Sequence, residues 1–186
     1  MLIDEIRFLL KDGREAVIRS PREEDVPGTL EYLYKTAGET PYLLRTPEEC
    51  VKYTYEGEKA LFEQINRSDN QAMPVCLVDG RVVGNCQILW KTSLKTRHRA
   101  TVAIAILKEF WGQGIGTKMF ETLFRIAENN PNLLQLELDF IEGNVRARAL
   151  YERMGFRITG VKPDAIRMPD GTLLNEYSMI RKIPRS

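Results

Sequence analysis

A chain of 186 residues, 43% apolar and 28% charged, reads as one ordinary globular domain over residues 1–186, with enough apolar mass to form a core without metal or disulfide staples. Twenty-seven Lys and Arg against 26 Asp and Glu leave a net charge of +1, which argues against a global pull toward nucleic acid or a membrane surface; any anion site must be local. Cys50, Cys76 and Cys86 lack paired spacing and His98 is the lone histidine, so a structural zinc site is not expected and a reducing, cytoplasmic compartment is.

The opening MLIDEIRFLLKDG mixes acids with its apolar residues and does not read as a signal peptide. No run approaches the ~18 apolar residues of a membrane span. EAVIRSP (15–21) reads as a first strand. REEDVPGTLEYLYKTAGE then reads as a helix interrupted early by Pro27 and Gly28. A second helix is expected from Thr46 as N-cap, with Pro47 in first position and Glu48 and Glu49 in the first turn. MPVCLVDGRVVGNCQILWKT is a hairpin turning at Asp79-Gly80. RATVAIAIL (99–107) is β-branched and almost wholly apolar, so it is expected to be central and covered on both faces.

A glycine turn follows. Behind it Ile115, Met119, Phe120, Leu123, Phe124 and Ala127 share one helical face, with Lys118, Glu121, Thr122, Arg125 and Glu128 opposite. In LLQLELDF (133–140), Leu134, Leu136, Leu138 and Phe140 face one way, and Gln135, Glu137 and Asp139 the other. NVRARALYERMGF (144–156) is a short helix with Asn144 as N-cap and Gly155 at its C-terminal end. FRITGVK and LLNEYSMIRKI are the last strands, joined by a turn at Pro169-Asp170-Gly171. The order is β-α-α-β-β-β-α-β-α-β-β, and a right-handed crossover makes the two strands around the glycine turn parallel neighbours.

EFWGQGIGTKMF (109–120) places Gly112, Gly114 and Gly116 where a helix begins. A helix start offers free N–H groups and a positive dipole end, and glycines let a phosphate approach the main chain. The dinucleotide fingerprint needs G-x-G-x-x-G, but the spacing here is G-x-G-x-G; Gly116-Thr117-Lys118 has the wrong order and register for an ATP-type loop. WGQGIG (111–116) does resemble the Arg/Gln-x-x-Gly-x-Gly/Ala signature of the GNAT superfamily of N-acetyltransferases. NVRARALYERMGF is similar to that family's Asn-x-x-Ala-x-x-Leu-Tyr-x-x-x-Gly-Phe segment. The resemblance runs from Glu15 to about Lys182. Trp111 departs from it, standing where relatives carry Arg or Gln; Lys118 or Arg146 are candidates to supply the missing charge.

The resemblance implies an α/β (α+β) GNAT fold: a central mixed sheet of about seven strands with about four helices, the fourth and fifth strands parallel and splayed around the cofactor. It implies an N-acetyltransferase that moves an acetyl group from acetyl-CoA to a primary amine by direct transfer in a ternary complex. The acceptor is a small molecule, an amino acid or a protein N-terminus. No metal, nucleic acid or membrane is implied, and a homodimer is left open. Main-chain groups of Ile104, Ala105 and Ile106 are then expected to pair with the pantetheine arm. The backbone from Trp111 through Gly112, Gln113, Gly114, Ile115, Gly116 and Thr117 is expected to hold the pyrophosphate. Asn144 matches a cofactor-contacting Asn, and Tyr151 a tyrosine near the cofactor sulfur, where a phenol can return a proton to a leaving thiolate.

No carboxylate occurs from Arg97 to Leu107, where many relatives place a base; Glu137 and Asp139 are the substitutes, with Glu142 a weaker third or a water chain in their place. The acceptor is expected around residues 31–49 and 162–175, which carry Tyr32, Tyr34, Glu39, Tyr42, Arg45, Asp164 and Arg167. The alternatives are a non-catalytic acyl-CoA sensor on the same fold and a nucleotide-binding protein that uses the turn alone.

Overall fold

The structure, a computed structural model, describes residues 1–184. A single sheet runs in the order β1-β2-β4-β5-β6-β7-β9-β8, with the short β3 paired to β5. The strands are β1 (Ile6–Leu9), β2 (Glu15–Arg19), β3 (Gln71–Ala72), β4 (Val75–Val78), β5 (Arg81–Trp90), β6 (Arg99–Ile106), β7 (Gln135–Ile141), β8 (Arg157–Arg167) and β9 (Leu173–Lys182). The helices are α1 (Val26–Glu39), α2 (Tyr55–Arg67), α3 (Ile115–Glu128) and α4 (Val145–Arg153). The mixed α/β fold that the resemblance implied is present, with β1 and β3 as additional short strands. β1 is an edge strand whose alternate residues Ile6 and Phe8 are only half-buried, and Arg7 in its middle breaks an apolar reading.

Several local expectations change. Pro27 does not interrupt the first helix: it occupies the first turn of α1, where its missing N–H costs nothing. The second helix starts at Tyr55, capped by the Thr54 hydroxyl, which accepts from the Gly57 N–H at 3.1 Å. The capping-box pattern at Thr46 and Glu49 is real, with N–H to side-chain distances of 3.0 and 3.4 Å, but it caps only the short 3-10 helix Glu48–Lys52. Thr122 sits on the buried side of α3, its hydroxyl donating to the Lys118 carbonyl. Leu134 is exposed and precedes β7, while Leu136, Leu138 and Phe140 are buried as expected. The Asp79-Gly80 hairpin turn has φ of 51° and 76°, as a turn with two left-handed residues requires.

Residue alternation defines the two faces of the sheet. Gly84 of β5 faces α3: a Cβ there would sit 3.0 Å from Met119 Cε and 3.3 Å from Ile106 Cγ1. Asn85 faces the other way, where Tyr32 of α1 donates to its Oδ1 or to the Ala105 carbonyl, at 3.0 and 2.9 Å. So α3 covers the Ile104 and Ile106 face of β6, and α1 lies over the Ala103 and Ala105 face. Register carries this to β7: Thr101 pairs Glu137, so Glu137 and Asp139 share the α1 face, and Leu136, Leu138 and Phe140 face α3. The main core cluster lies on the sheet, built mostly from β4 to β7 and α3, and a smaller one joins Val26 of α1 to Phe62 and Ile65 of α2 and to Met73. Arg19 and Asp25 lock the end of β2 to the start of α1 through two bonds of 2.6 and 2.9 Å, with side chains only 9% and 4% exposed.

Candidate active site

β6 and β7 pair in parallel over three residues only, Arg99↔Gln135, Ala100↔Leu136 and Thr101↔Glu137. Beyond Thr101 the two strands part, and a cleft of about 1200 Å³ opens between them. β6 is not covered on both faces as expected: Thr101 and Ala103 are exposed although the strand is central, and Ala103 is exposed because it lines this groove. The cleft reaches both faces of the sheet, with the glycine turn and α4 lining it on the α3 side and Thr36, Arg45 and Asp139 on the α1 side.

The free edge of β6 is defined by its hydrogen bonds. The Leu107 N–H donates to Val83 of β5 at 2.9 Å. Alternation then turns the backbone of Ala105 toward β5 and the backbones of Ile104 and Ile106 toward the gap. The Ile106 carbonyl is already taken: the Trp111 indole N–H donates to it at 2.8 Å.

The glycine turn answers to three different constraints. Gly112 and Gly114 have φ of 81° and 97°, a region other residues rarely enter, and nothing lies within 4 Å of where their Cβ atoms would be. Gly116 has ordinary backbone, but a Cβ there would meet Leu150 Cδ2 at 2.9 Å, so it allows α4 to pack against the start of α3. Among the described residues no side chain caps α3, whose N-cap is Gly114. Its first N–H groups have no intrahelical acceptor and open into the cleft. Together with the positive dipole end this is a site an anion such as a diphosphate fits. Above it, the Arg146 guanidinium stacks on the Trp111 ring, 4.6 Å from the centroid. A fixed positive charge therefore stands beside the turn, supplied by α4 rather than by the first residue of the glycine motif.

Tyr151 of α4 lines the cleft on the α3 side, 8% exposed. Its ring packs edge-on against Phe120, Phe140 and Phe156. Burial pushes its phenol up to about 12, so it keeps its proton at neutral pH. Asn144 caps α4, its Oδ1 accepting from the Ala147 N–H at 3.2 Å, and also lines the cleft.

Of the residues expected to hold the cofactor or take part in the chemistry, all line the cleft except Gln113, Lys118, Glu137 and Glu142; Lys118 pairs with Glu121, and Glu142 accepts from the Asn175 N–H. Gln113 turns away, its Oε1 accepting from the Asp12 N–H at 3.2 Å in the β1–β2 turn. Glu137 lies where β6 and β7 are still paired, gripped by Arg99 at 2.6 and 2.7 Å and by Gln135 at 2.5 Å. Burial raises its pKa, but those hydrogen bonds outweigh burial and hold it below the ordinary carboxylate value. Asp139, two residues on, lines the cleft on the α1 side and accepts from Ser178 at 2.6 Å and Lys162 at 3.4 Å. His98 is at the closed end, its carbonyl accepting from Leu134 and Gln135. Of the two segments expected around an acceptor, the first reaches the cleft through Thr36, Glu39, Tyr42 and Arg45, and the described lining takes nothing from residues 162–175.

Comparison with known proteins agrees with this geometry. The family model described as the acetyltransferase (GNAT) family matches residues 35–156. An N-acetyltransferase of Methanocaldococcus jannaschii is 34% identical over 112 residues, covering 60% of this chain and 67% of that protein. A GNAT-family acetyltransferase from Streptococcus pneumoniae superposes with a TM-score of 0.84 at 24% identity, covering 90% of this chain and 99% of that one. Mycobacterium smegmatis RimJ, solved in complex with CoA-disulfide, superposes with a TM-score of 0.76 at 18% identity over 98% of this chain and 90% of its own. With the matched segment spanning the cleft, both motifs and the strands that splay, the chain belongs to the GNAT family of acetyltransferases.

Proposed function

We propose that the protein is an acetyl-CoA-dependent N-acetyltransferase, a single domain that moves the acetyl group directly to a primary amine. The observation that carries this is the uncapped start of α3, flanked by left-handed glycines, opening into a cleft that also holds Tyr151. Acetyl-CoA supplies the activated thioester and an anionic diphosphate. The N–H groups of residues 112–117 and the Arg146 guanidinium bind that diphosphate. The gap-facing backbone of Ile104 and the Ile106 N–H offer strand-like partners to the pantetheine amides, and one N–H polarises the thioester carbonyl. Tyr151 keeps its proton at neutral pH and donates it to the departing thiolate. Of the two strand carboxylates, Asp139 stands on the cleft and is the better candidate to take a proton from the incoming ammonium. The amine enters from the α1 side, opposite the diphosphate. Three free, buried cysteines support a reducing, cytoplasmic setting.

The test is thermal unfolding with ligands. Coenzyme A and acetyl-CoA at about a hundred times Kd should stabilise the protein by about 2.7 kcal/mol, a rise of several degrees, and ATP or NAD should do much less. Equal shifts with ATP and coenzyme A would favour a general nucleotide site.

A further inference from the structure

The charged side chains that line the cleft are Lys11, Glu39, Arg45, Asp139, Arg146 and Arg153, and Arg146 and Arg153 belong to α4 on the diphosphate side. Glu39 Oε2 accepts from the Lys108 N–H at 2.6 Å. Arg146 stacks on Trp111 at the diphosphate end. Lys11 lies beside Asp12, whose N–H reaches Gln113, and so belongs to the glycine-turn side as well. Arg45 is different. It is partly buried, lines the cleft on the α1 side, and forms no ion pair among the described residues. Its Nη2 donates to Thr36 Oγ1 at 2.7 Å and its Nε to the Leu33 carbonyl at 3.4 Å, both neutral acceptors. Glu58 of α2 feels the Arg45 charge, and burial holds its pKa above the ordinary value, but no hydrogen bond or ion pair joins it to Arg45 among the described residues. A positioned, partly buried guanidinium with no carboxylate in hydrogen-bond contact keeps donors free for an arriving anion.

Resting on the transferase reading above, we propose that Arg45 selects the acceptor by binding its carboxylate, so that the preferred substrate is a primary amine that also carries a carboxylate. The guanidinium fork matches a carboxylate in plane and spacing, which a neutral group does not. Asp139 stands on the same face of the cleft and offers negative charge to the ammonium. Arg45 and Asp139 together present the complement of a zwitterion. Tyr42 and Tyr53, which also line this end, flank the path.

The experiment measures thiol release from acetyl-CoA with matched acceptor pairs. One series sets free amino acids against their amides; the other sets short peptides with Glu in second position against the same peptides with Gln. The carboxylate member of one series should be favoured about tenfold or more in kcat/KM, the scale of one charge-assisted hydrogen bond. Which series shows the preference tells free amino acids from peptides. In Arg45→Met that ratio should collapse toward one through a raised KM, with Arg45→Lys recovering part of it. Coenzyme A should still raise Tm, showing a folded variant. If Arg45 only tethers the residue 40–53 segment to α1, both members of each pair fall together and the ratio holds, which overturns the proposal. A wild-type protein that prefers the amides overturns it too, while the transferase reading stands. If no amine is acetylated at all, the transferase reading itself fails and takes this proposal with it.

Discussion

Replacing Gly114 by Asp puts a carboxylate where the account places a diphosphate. Gly114 has φ of 97° and open space around its missing Cβ, so the substitution meets no atom and its cost is backbone strain alone. That strain is about 1–2 kcal/mol for a non-glycine residue in this region, and Asp and Asn bear it best. Against a typical stability of about 5–15 kcal/mol the chain still folds, with Tm lower by about 2–8 °C for a domain of this size. The charge acts on binding. Two unit charges about 4 Å apart at an effective dielectric near 20 repel by about 4 kcal/mol, roughly a thousandfold in Kd. Gly114→Asn carries the same shape and strain without the charge. Calorimetric titration with coenzyme A should therefore show a modest loss for Asn and a collapse for Asp. If the two variants bind within a few fold of each other, the diphosphate does not sit on this turn.

Tyr151→Phe should lower kcat at least about tenfold with coenzyme A affinity nearly intact, since the ring contacts survive and only the proton donor is lost. The same variant has a pH signature. The native phenol titrates at about 12 against 10.0 when free, so its contribution to stability is complete below pH 10 and gone above about 12; the Phe variant should lose about 3 kcal/mol less over that window in urea titrations. Trp111→Ala and Arg146→Ala should each weaken coenzyme A binding, and the double variant should weaken it less than the sum, with a coupling of about 0.5–2 kcal/mol from the shared stack. Asp139→Asn should reduce kcat and steepen its pH dependence, whereas Glu137→Gln, at the paired end of the strands, should leave turnover close to wild type. Asp25→Ala leaves the buried Arg19 with only the exposed Glu24 at 3.6 Å as counter-ion and should cost about 3 kcal/mol in chemical denaturation without any specific effect on coenzyme A affinity.

The helices and strands that carry the site were legible because their signals are local. The alternation of Leu136, Leu138 and Phe140, the apolar face of α3 and the Asn144 cap all depend on neighbours within a few residues. What the sequence did not disclose depends on contacts far along the chain. Gln113 belongs to the glycine motif, yet its side chain is drawn to Asp12, 101 residues away. Glu137 and Asp139 look equivalent in a strand pattern; only the point at which β6 leaves β7 separates a paired carboxylate from one that faces a cleft. Trp111 reads as a lost arginine until α4 folds back and lays Arg146 on its ring. The capping box at Thr46 is locally sound as a helix start, and nothing nearby in sequence says that the helix ends after one short turn.

The most direct test of the central claim is to incubate the protein with acetyl-CoA carrying a labelled acetyl group and a panel of amines, then weigh the products. The account predicts label on the amine nitrogen, one coenzyme A thiol released per acetyl transferred, and loss of both in Tyr151→Phe. Cofactor that binds tightly while no amine gains the label would contradict it.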